Sequence, residues 1–267
     1  MTLAWMFDRY FIKQPKLRRM ATRAIYGNSD RWIKLFGAGL TINSELENGY
    51  LRAFRSSRYV SLFRDEAAVM VNLANLISDD CTFLDIGANI GIFSAVMSRF
   101  ARVRRNVRVI AFEVDPNTFS RLALNARDHG FEAHNIGLGD EERAITFVRG
   151  AVSHVTTPLE SQNAYSIPNE IFTAKCAPLA SFEIPGRDIV IKIDVEGFEY
   201  EVLVGARRYF EDRRVKAVYF DGVAKIDETQ SFLSQFGFEL FDGHTLDPFL
   251  PGGFALLALR RAPKLPA

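Results

Sequence analysis

Asp194 and Glu196, two residues apart at the end of Ile189-Val190-Ile191-Lys192-Ile193-Asp194-Val195-Glu196-Gly197, are the groups in this sequence best suited to move a proton. They begin at the tip of an apolar strand and run into a turn at Gly197, so both face one crevice. There a carboxylate can hold a substrate hydroxyl or accept its proton. Lys192 sits inside the same strand, where a charge is unusual. It is read as reaching a crevice acid, Asp194 or Asp85, or extending to the sheet end. Two further strands are tipped with acids in the same way: Phe83-Leu84-Asp85-Ile86-Gly87-Ala88-Asn89-Ile90-Gly91, which passes through a glycine turn into a helix, and Ala111-Phe112-Glu113-Val114-Asp115-Pro116.

The glycine turn has the form Gly-x-x-x-Gly and lacks the G-x-G-x-x-G spacing that brings a backbone onto a pyrophosphate. S-adenosylmethionine has no phosphate. It requires an acceptor near its amino group, backbone room beside its methionine portion and an acid for its ribose hydroxyls. Asp85, the run Gly87, Ala88, Asn89 and Gly91, and Glu113 beside Val114 meet those needs in turn. Glu113 alone does not separate this cofactor from NAD, since both place an acid at that strand end. Asn135-Ile136-Gly137-Leu138-Gly139-Asp140 follows the third strand, where an adenine ring would lie. The Gly137 or Leu138 backbone would then read the ring edge and Asp140 would accept from its amine. Equally, Gly139-Asp140-Glu141-Glu142 reads as a hairpin turn into a strand at Ala144–Val148.

Asp221 tips the fifth strand and, with Asp194 and Glu196, offers oxygen ligands to a hard divalent ion. The metal-free reading is favoured, because paired acids serve a substrate hydroxyl equally well. His154 and His244 lie in loops that approach the same mouth and are weaker candidate bases. Glu199 and Glu201 are explained by favourable charge in the first turn of a helix and receive no catalytic role. The arginines 99, 102, 104, 105 and 108 fall at the end of the first core helix, opposite the crevice, and read as a solvated face. Cys81 and Cys176 are too few and too far apart for a disulfide framework or a zinc site.

The elements that position these groups follow from periodicity. Strands are predicted near 82–86, 107–112, 132–136, 188–193 and 215–220, and helices near 90–100, 117–129, 198–210 and 226–236. Strict alternation of this kind implies a doubly wound parallel sheet covered on both faces. The last two strands, 238–241 and 253–259, are joined by too little chain for a parallel crossover and should pair antiparallel. The expected fold is therefore a Rossmann-like α/β domain over 79–267, a mostly parallel seven-stranded sheet with an antiparallel last strand. A helical and hairpin extension occupies 1–78, with hairpin strands and a turn at Glu47-Asn48-Gly49-Tyr50, then a helix over 63–77. Residues 150–178 read as a substrate loop with a strand pair at its borders.

The net charge of +1 gives no global reason to bind nucleic acid. A small-molecule or glycan acceptor is favoured. No apolar run reaches the roughly 18–20 residues of a membrane span, and a cytoplasmic protein is expected. The first 30 residues carry +4 with several bulky apolar side chains, which admits peripheral contact with an anionic membrane; docking on the core is the simpler reading. Oligomeric state is not legible.

The order and spacing of the four motifs, with Val202-Leu203-Val204-Gly205-Ala206, resemble the FkbM family of S-adenosylmethionine-dependent methyltransferases over roughly 82–220. The resemblance implies a Rossmann-like enzyme that methylates hydroxyl oxygens of sugars, glycolipids or polyketide products. The chain departs from the family at Val114, often Pro, and at Asp221, often Glu. Residues 1–60 carry no family motif and are a candidate acceptor-selecting region. Competing readings are a nicotinamide-dependent oxidoreductase and a non-catalytic binding module.

Overall fold

The computed structural model describes residues 20, 23–55, 61–150, 156–159 and 170–261. The first strands, β1 (Asp30–Leu35) and β2 (Ala38–Asn43), form an antiparallel hairpin. Phe36 and Gly37 connect them with φ of 48° and 79°, the left-handed pair that matches the twist of a two-residue hairpin. The turn predicted at Glu47–Tyr50 is instead the start of a helix, α1 (Asn48–Arg55). The reversal comes earlier, where Asn43 Oδ1 accepts from the backbone N–H groups of Glu45 and Leu46. Helix α2 (Ser61–Leu76) follows.

These elements share one apolar cluster with the main sheet. Ile33, Leu40, Ile42 and Leu73 pack with Phe93, Val96 and Leu122. The buried Arg121 donates to Glu47 at 2.6 Å across this junction, an ion pair whose loss of one partner would strand a charge in the core.

Beyond it the chain alternates β3 (Cys81–Ile86), α3 (Ile92–Ala101), β4 (Arg108–Phe112), α4 (Pro116–His129) and β5 (Glu132–His134). The segment that follows is a second sheet, where only a border pair of strands was expected: β6 (Gly137–Leu138), β7 (Arg143–Arg149), β8 (Thr156–Pro158) and β9 (Glu170–Ala177), in the order β6-β9-β7-β8. β6 pairs with β9 rather than with β7, so residues 139–142 turn the chain without joining hairpin partners.

The main sheet resumes with β10 (Asp188–Ile193) and continues through α5 (Glu199–Gly205), α6 (Arg207–Glu211), β11 (Val215–Asp221), α7 (Ile226–Gln235), β12 (Phe238–Asp242) and β13 (Ala255–Arg260). The helix predicted over 198–210 is thus two helices. The break follows Gly205, whose backbone packs so closely on the Gly139 carbonyl that a Cβ would lie 1.9 Å from it.

The seven strands run β12-β13-β11-β10-β3-β4-β5. Only β13 is reversed against its neighbours. This is the doubly wound, mostly parallel sheet that the strand–helix alternation predicted. Every residue of β3 and of β10 is buried, as central parallel strands covered by helices on both faces must be.

Candidate active site

An open crevice of about 640 Å³ lies at the carboxyl ends of β3, β4 and β10, walled on its outer side by the second sheet. Gly87, Asn89, Glu113, Val114, Gly137, Leu138, Asp194 and Glu196 all line it.

Glu113 is 7% exposed and is held from two sides. Its carboxylate accepts from the Asn89 N–H at 2.8 Å and from the Asp115 N–H at 2.9 Å. Burial pushes its pKa up to about 7, and those two donors act in the opposite direction. Asn89 presents its N–H from a left-handed turn, φ 52°.

Asp85 lies beneath the crevice instead of on its wall. Its Oδ2 accepts from the Ser94 N–H at 3.1 Å and hydroxyl at 2.7 Å. It thereby caps α3, whose own N-cap residue Gly91 has no side chain to do so. Ala88 donates to the Phe112 carbonyl, fastening the turn to β4. Gly91 packs on α4, where a Cβ would meet Leu122 at 2.6 Å.

Lys192 is buried with its ammonium enclosed. It donates to the Gly87 carbonyl at 3.0 Å and to Asp194 Oδ2 at 3.3 Å, and lies 3.3 Å from Asp85 Oδ1. Burial lowers its pKa, yet Asp194, Asp85 and Asp221 outweigh that and hold it charged. Two hydrogen bonds and the ion pair with Asp85 together tie β3 to β10 around this buried charge. We therefore describe it as a positioning residue.

Asp194 and Glu196 both reach the crevice and differ in state. Asp194 is engaged by Lys192. Glu196 sits on a left-handed backbone, φ 51°, and among the described residues its carboxylate has no hydrogen-bond or ion-pair partner. Partial burial, then Asp194, Glu199 and Asp221, push its pKa up to about 7. Asp221 rises to about 6 through burial and Asp194, and the Tyr219 hydroxyl lies 3.5 Å from it.

The remaining predicted residues are scattered. Asp140 is exposed, off the crevice wall, 3.8 Å from Arg143. His244 stands 3.6 Å from Asp242. His154 lies outside the described residues, as does the basic arm before residue 20. Among the described residues no three His, Cys, Asp or Glu converge as a metal-ligand set, and no helix is long and apolar enough to cross a membrane.

Sequence reasoning missed Phe147, Thr156 and Pro158, which wall the crevice from the second sheet. Only the alternation of Ile145 and Phe147 with polar residues hinted that this segment turns one face inward. It also missed Arg149, which holds that sheet to the N-cap of α4 through two hydrogen bonds to Asp115, at 2.6 and 2.7 Å.

The acid set makes a prediction for the ligand-free protein. Glu113, Glu196 and Asp221 have folded-state pKa values above their unfolded ones. The native state therefore binds more protons than the unfolded chain between about pH 4.5 and 7, and stability is lost as pH rises through that window. The lowered acids Asp79, Asp188 and Asp242 lose their contribution only at more acid pH. Calorimetric melting should give a higher Tm near pH 5.5 than near pH 7.5. The difference should narrow in Glu113→Gln; a Tm flat or rising over that interval would contradict the assignment.

Comparison with known proteins is consistent with this geometry. A family described as "Methyltransferase FkbM domain" matches residues 85–240. "Methyltransferase 1" of Beauveria bassiana is 32% identical over 149 residues, 48% of this chain and 59% of that protein. Hexuronic acid methyltransferase AglP of Haloferax volcanii is 29% identical over 147 residues, 53% of this chain and 56% of that protein. The chain thus spans somewhat more than half the length of these relatives. Among solved structures, methyltransferase FkbM from Methylobacillus flagellatus aligns with a TM-score of 0.47 at 20% identity, covering 68% of this chain and 44% of that one.

Proposed function

The chain belongs to the methyltransferase FkbM family, and from that premise we propose that it transfers the methyl group of S-adenosylmethionine to a hydroxyl oxygen of a sugar or glycoconjugate. The observation that carries the reading is the division of labour between two acids of one crevice. Glu113 is braced by backbone donors, and Glu196 stands with its carboxylate unengaged.

The residues fit the cofactor. Glu113 would accept from the ribose hydroxyls, the Gly87 and Asn89 backbone would border the methionine portion, and the apolar wall of Val114, Leu138 and Phe147 would hold the adenine. When bound, S-adenosylmethionine supplies a methyl group already activated on a sulfonium sulfur. The chain's own task is then alignment and proton removal. Asp194 is pinned by Lys192 and orients the hydroxyl. Glu196, with a pKa near neutrality, takes its proton.

A sugar acceptor is favoured by the printed name of the archaeal relative, which acts on a hexuronic acid. On the reading that the 1–78 extension helps to select the acceptor, Tyr50 of α1 is the residue to test: burial raises its pKa, and the charges of Glu66 and Asp194 act on it in the same direction. O-methylation of a polyketide-type product remains a secondary arm of the acceptor screen.

Calorimetric titration with S-adenosylmethionine, S-adenosylhomocysteine and NAD tests the cofactor. The first two should bind and NAD should not. Glu113→Ala should weaken S-adenosylhomocysteine by about 10–100-fold, the worth of its charge-assisted hydrogen bonds. Protonated Glu113 accepts less well, so wild-type affinity should fall as pH drops below about 7. Binding of NAD alone would overturn the reading.

A further inference from the structure

We propose that Glu199 is a positioning residue for the proton acceptor, a strut that ties the Glu196–Gly197 turn to the loop after β11 and fixes where Glu196 stands. As an acid in the first turn of α5 it would be explained by the helix dipole alone if it were solvated. It is instead 3% exposed. One carboxylate oxygen accepts from the Gly197 N–H at 2.7 Å, and the other from the Ala224 N–H at 3.2 Å. A buried carboxylate so used joins the two loops beyond the last β10–β11 pair, Ile193 with Phe220.

The turn needs such a brace. Glu196 and Gly197 take consecutive positive φ values, 51° and 107°. A non-glycine residue adopts that backbone only where its surroundings impose it. The Glu199–Gly197 bond holds the peptide immediately after Glu196, so its release lets Glu196 return to an ordinary conformation and swing its carboxylate away. The other end of the strut holds Ala224, in the loop that follows Asp221 at the end of β11. Outside it, Lys225 pairs with Glu201 and joins the same two segments at the surface. The charged groups acting on Glu196 are Asp194, Glu199, Asp221 and Lys192.

Glu199→Asp separates position from charge: it keeps the carboxylate and removes the methylene that lets it reach both loops. Carboxyl-13C NMR follows the titration of Glu196, assigned by its absence in Glu196→Gln, and amide exchange follows Gly197 and Ala224. In Glu199→Asp the Glu196 midpoint should fall by about one pH unit as the group gains solvent. Both amides should exchange at least about 10-fold faster. Glu201→Gln should leave all three unchanged. Affinity for S-adenosylhomocysteine should stay within about twofold in both variants, since the Glu113 brace is untouched.

An Asp variant that titrates and exchanges like wild type would overturn the strut. So would free-peptide exchange at Gly197 in the unaltered protein, a measurement that stands even if the variant does not fold. The role of Glu196 in methyl transfer rests on the proposed function. Failure of that function would appear as absent S-adenosylhomocysteine binding in every variant and would leave the exchange result readable on its own.

Discussion

Glu196→Gln should lower kcat for the proposed methyl transfer by about 10²–10⁴-fold, the range a positioned general base supplies, and leave affinity for S-adenosylhomocysteine within about twofold of wild type. The two carboxylates at the end of β10 are chemically alike and are separated by their partners. Asp194 is paired with the buried Lys192 at 3.3 Å. Glu196 is surrounded by Asp194, Glu199 and Asp221 and has a pKa of about 7, where a base is both deprotonated and willing at physiological pH. Gln keeps the shape and removes the basicity. Transfer of labelled methyl to the acceptor selected by a glycan screen measures the loss. The wild-type rate should rise with pH through about 7 and level off, and that limb should vanish in the variant. A Gln variant with wild-type kcat would return the role to Asp194.

Gly87→Ala should abolish measurable cofactor binding, a loss of more than about 100-fold, and lower the Tm by several degrees. Two penalties coincide at this residue. Its φ of 73° is left-handed, and an added Cβ would lie 1.8 Å from the Asp194 carbonyl oxygen, which is backbone and has no rotamer with which to move aside. The ends of β3 and β10 would have to separate, taking Lys192 from its acceptors and the crevice floor with it. Gly130→Ala is the matched control. Its φ of 75° carries the same conformational cost, but nothing lies within 4 Å of the added Cβ. It should lose about 1–2 kcal/mol of stability and bind S-adenosylhomocysteine as wild type does. Equal behaviour of the two variants would show that backbone conformation, and not the approach of the two strands, is what Gly87 provides.

What could be read from the chain alone is what is local or periodic. An apolar run tipped with an acid and followed by glycine announces a buried parallel strand and its carboxyl end, because burial on both faces dictates the run and the crevice tolerates the charge. That logic placed β3, β4, β10 and β11 and brought Glu113, Asp194 and Glu196 to one edge. It also gave the reversed β13 from the short loop before it.

Partnership was legible at Lys192, read as reaching Asp194 or Asp85 and found beside both, but elsewhere it was not, because it depends on residues far apart in sequence. Asp85 has the same strand-end signature as Glu113, yet Ser94, nine residues on, takes its Oδ2 through both backbone N–H and hydroxyl. Glu199 has the signature of a helix-dipole acid and becomes a buried strut because Ala224 comes to it from the next strand's loop. Phe147 and Arg149 belong to a segment with no motif at all; the bond to Asp115 is what turns it into a wall of the crevice. The sequence by itself determined which strands carry acids to the sheet edge. Only the tertiary structure decided which of those acids are spent on holding the fold and which are left for chemistry, because a carboxylate's availability is set by the donors that reach it and the water that does not.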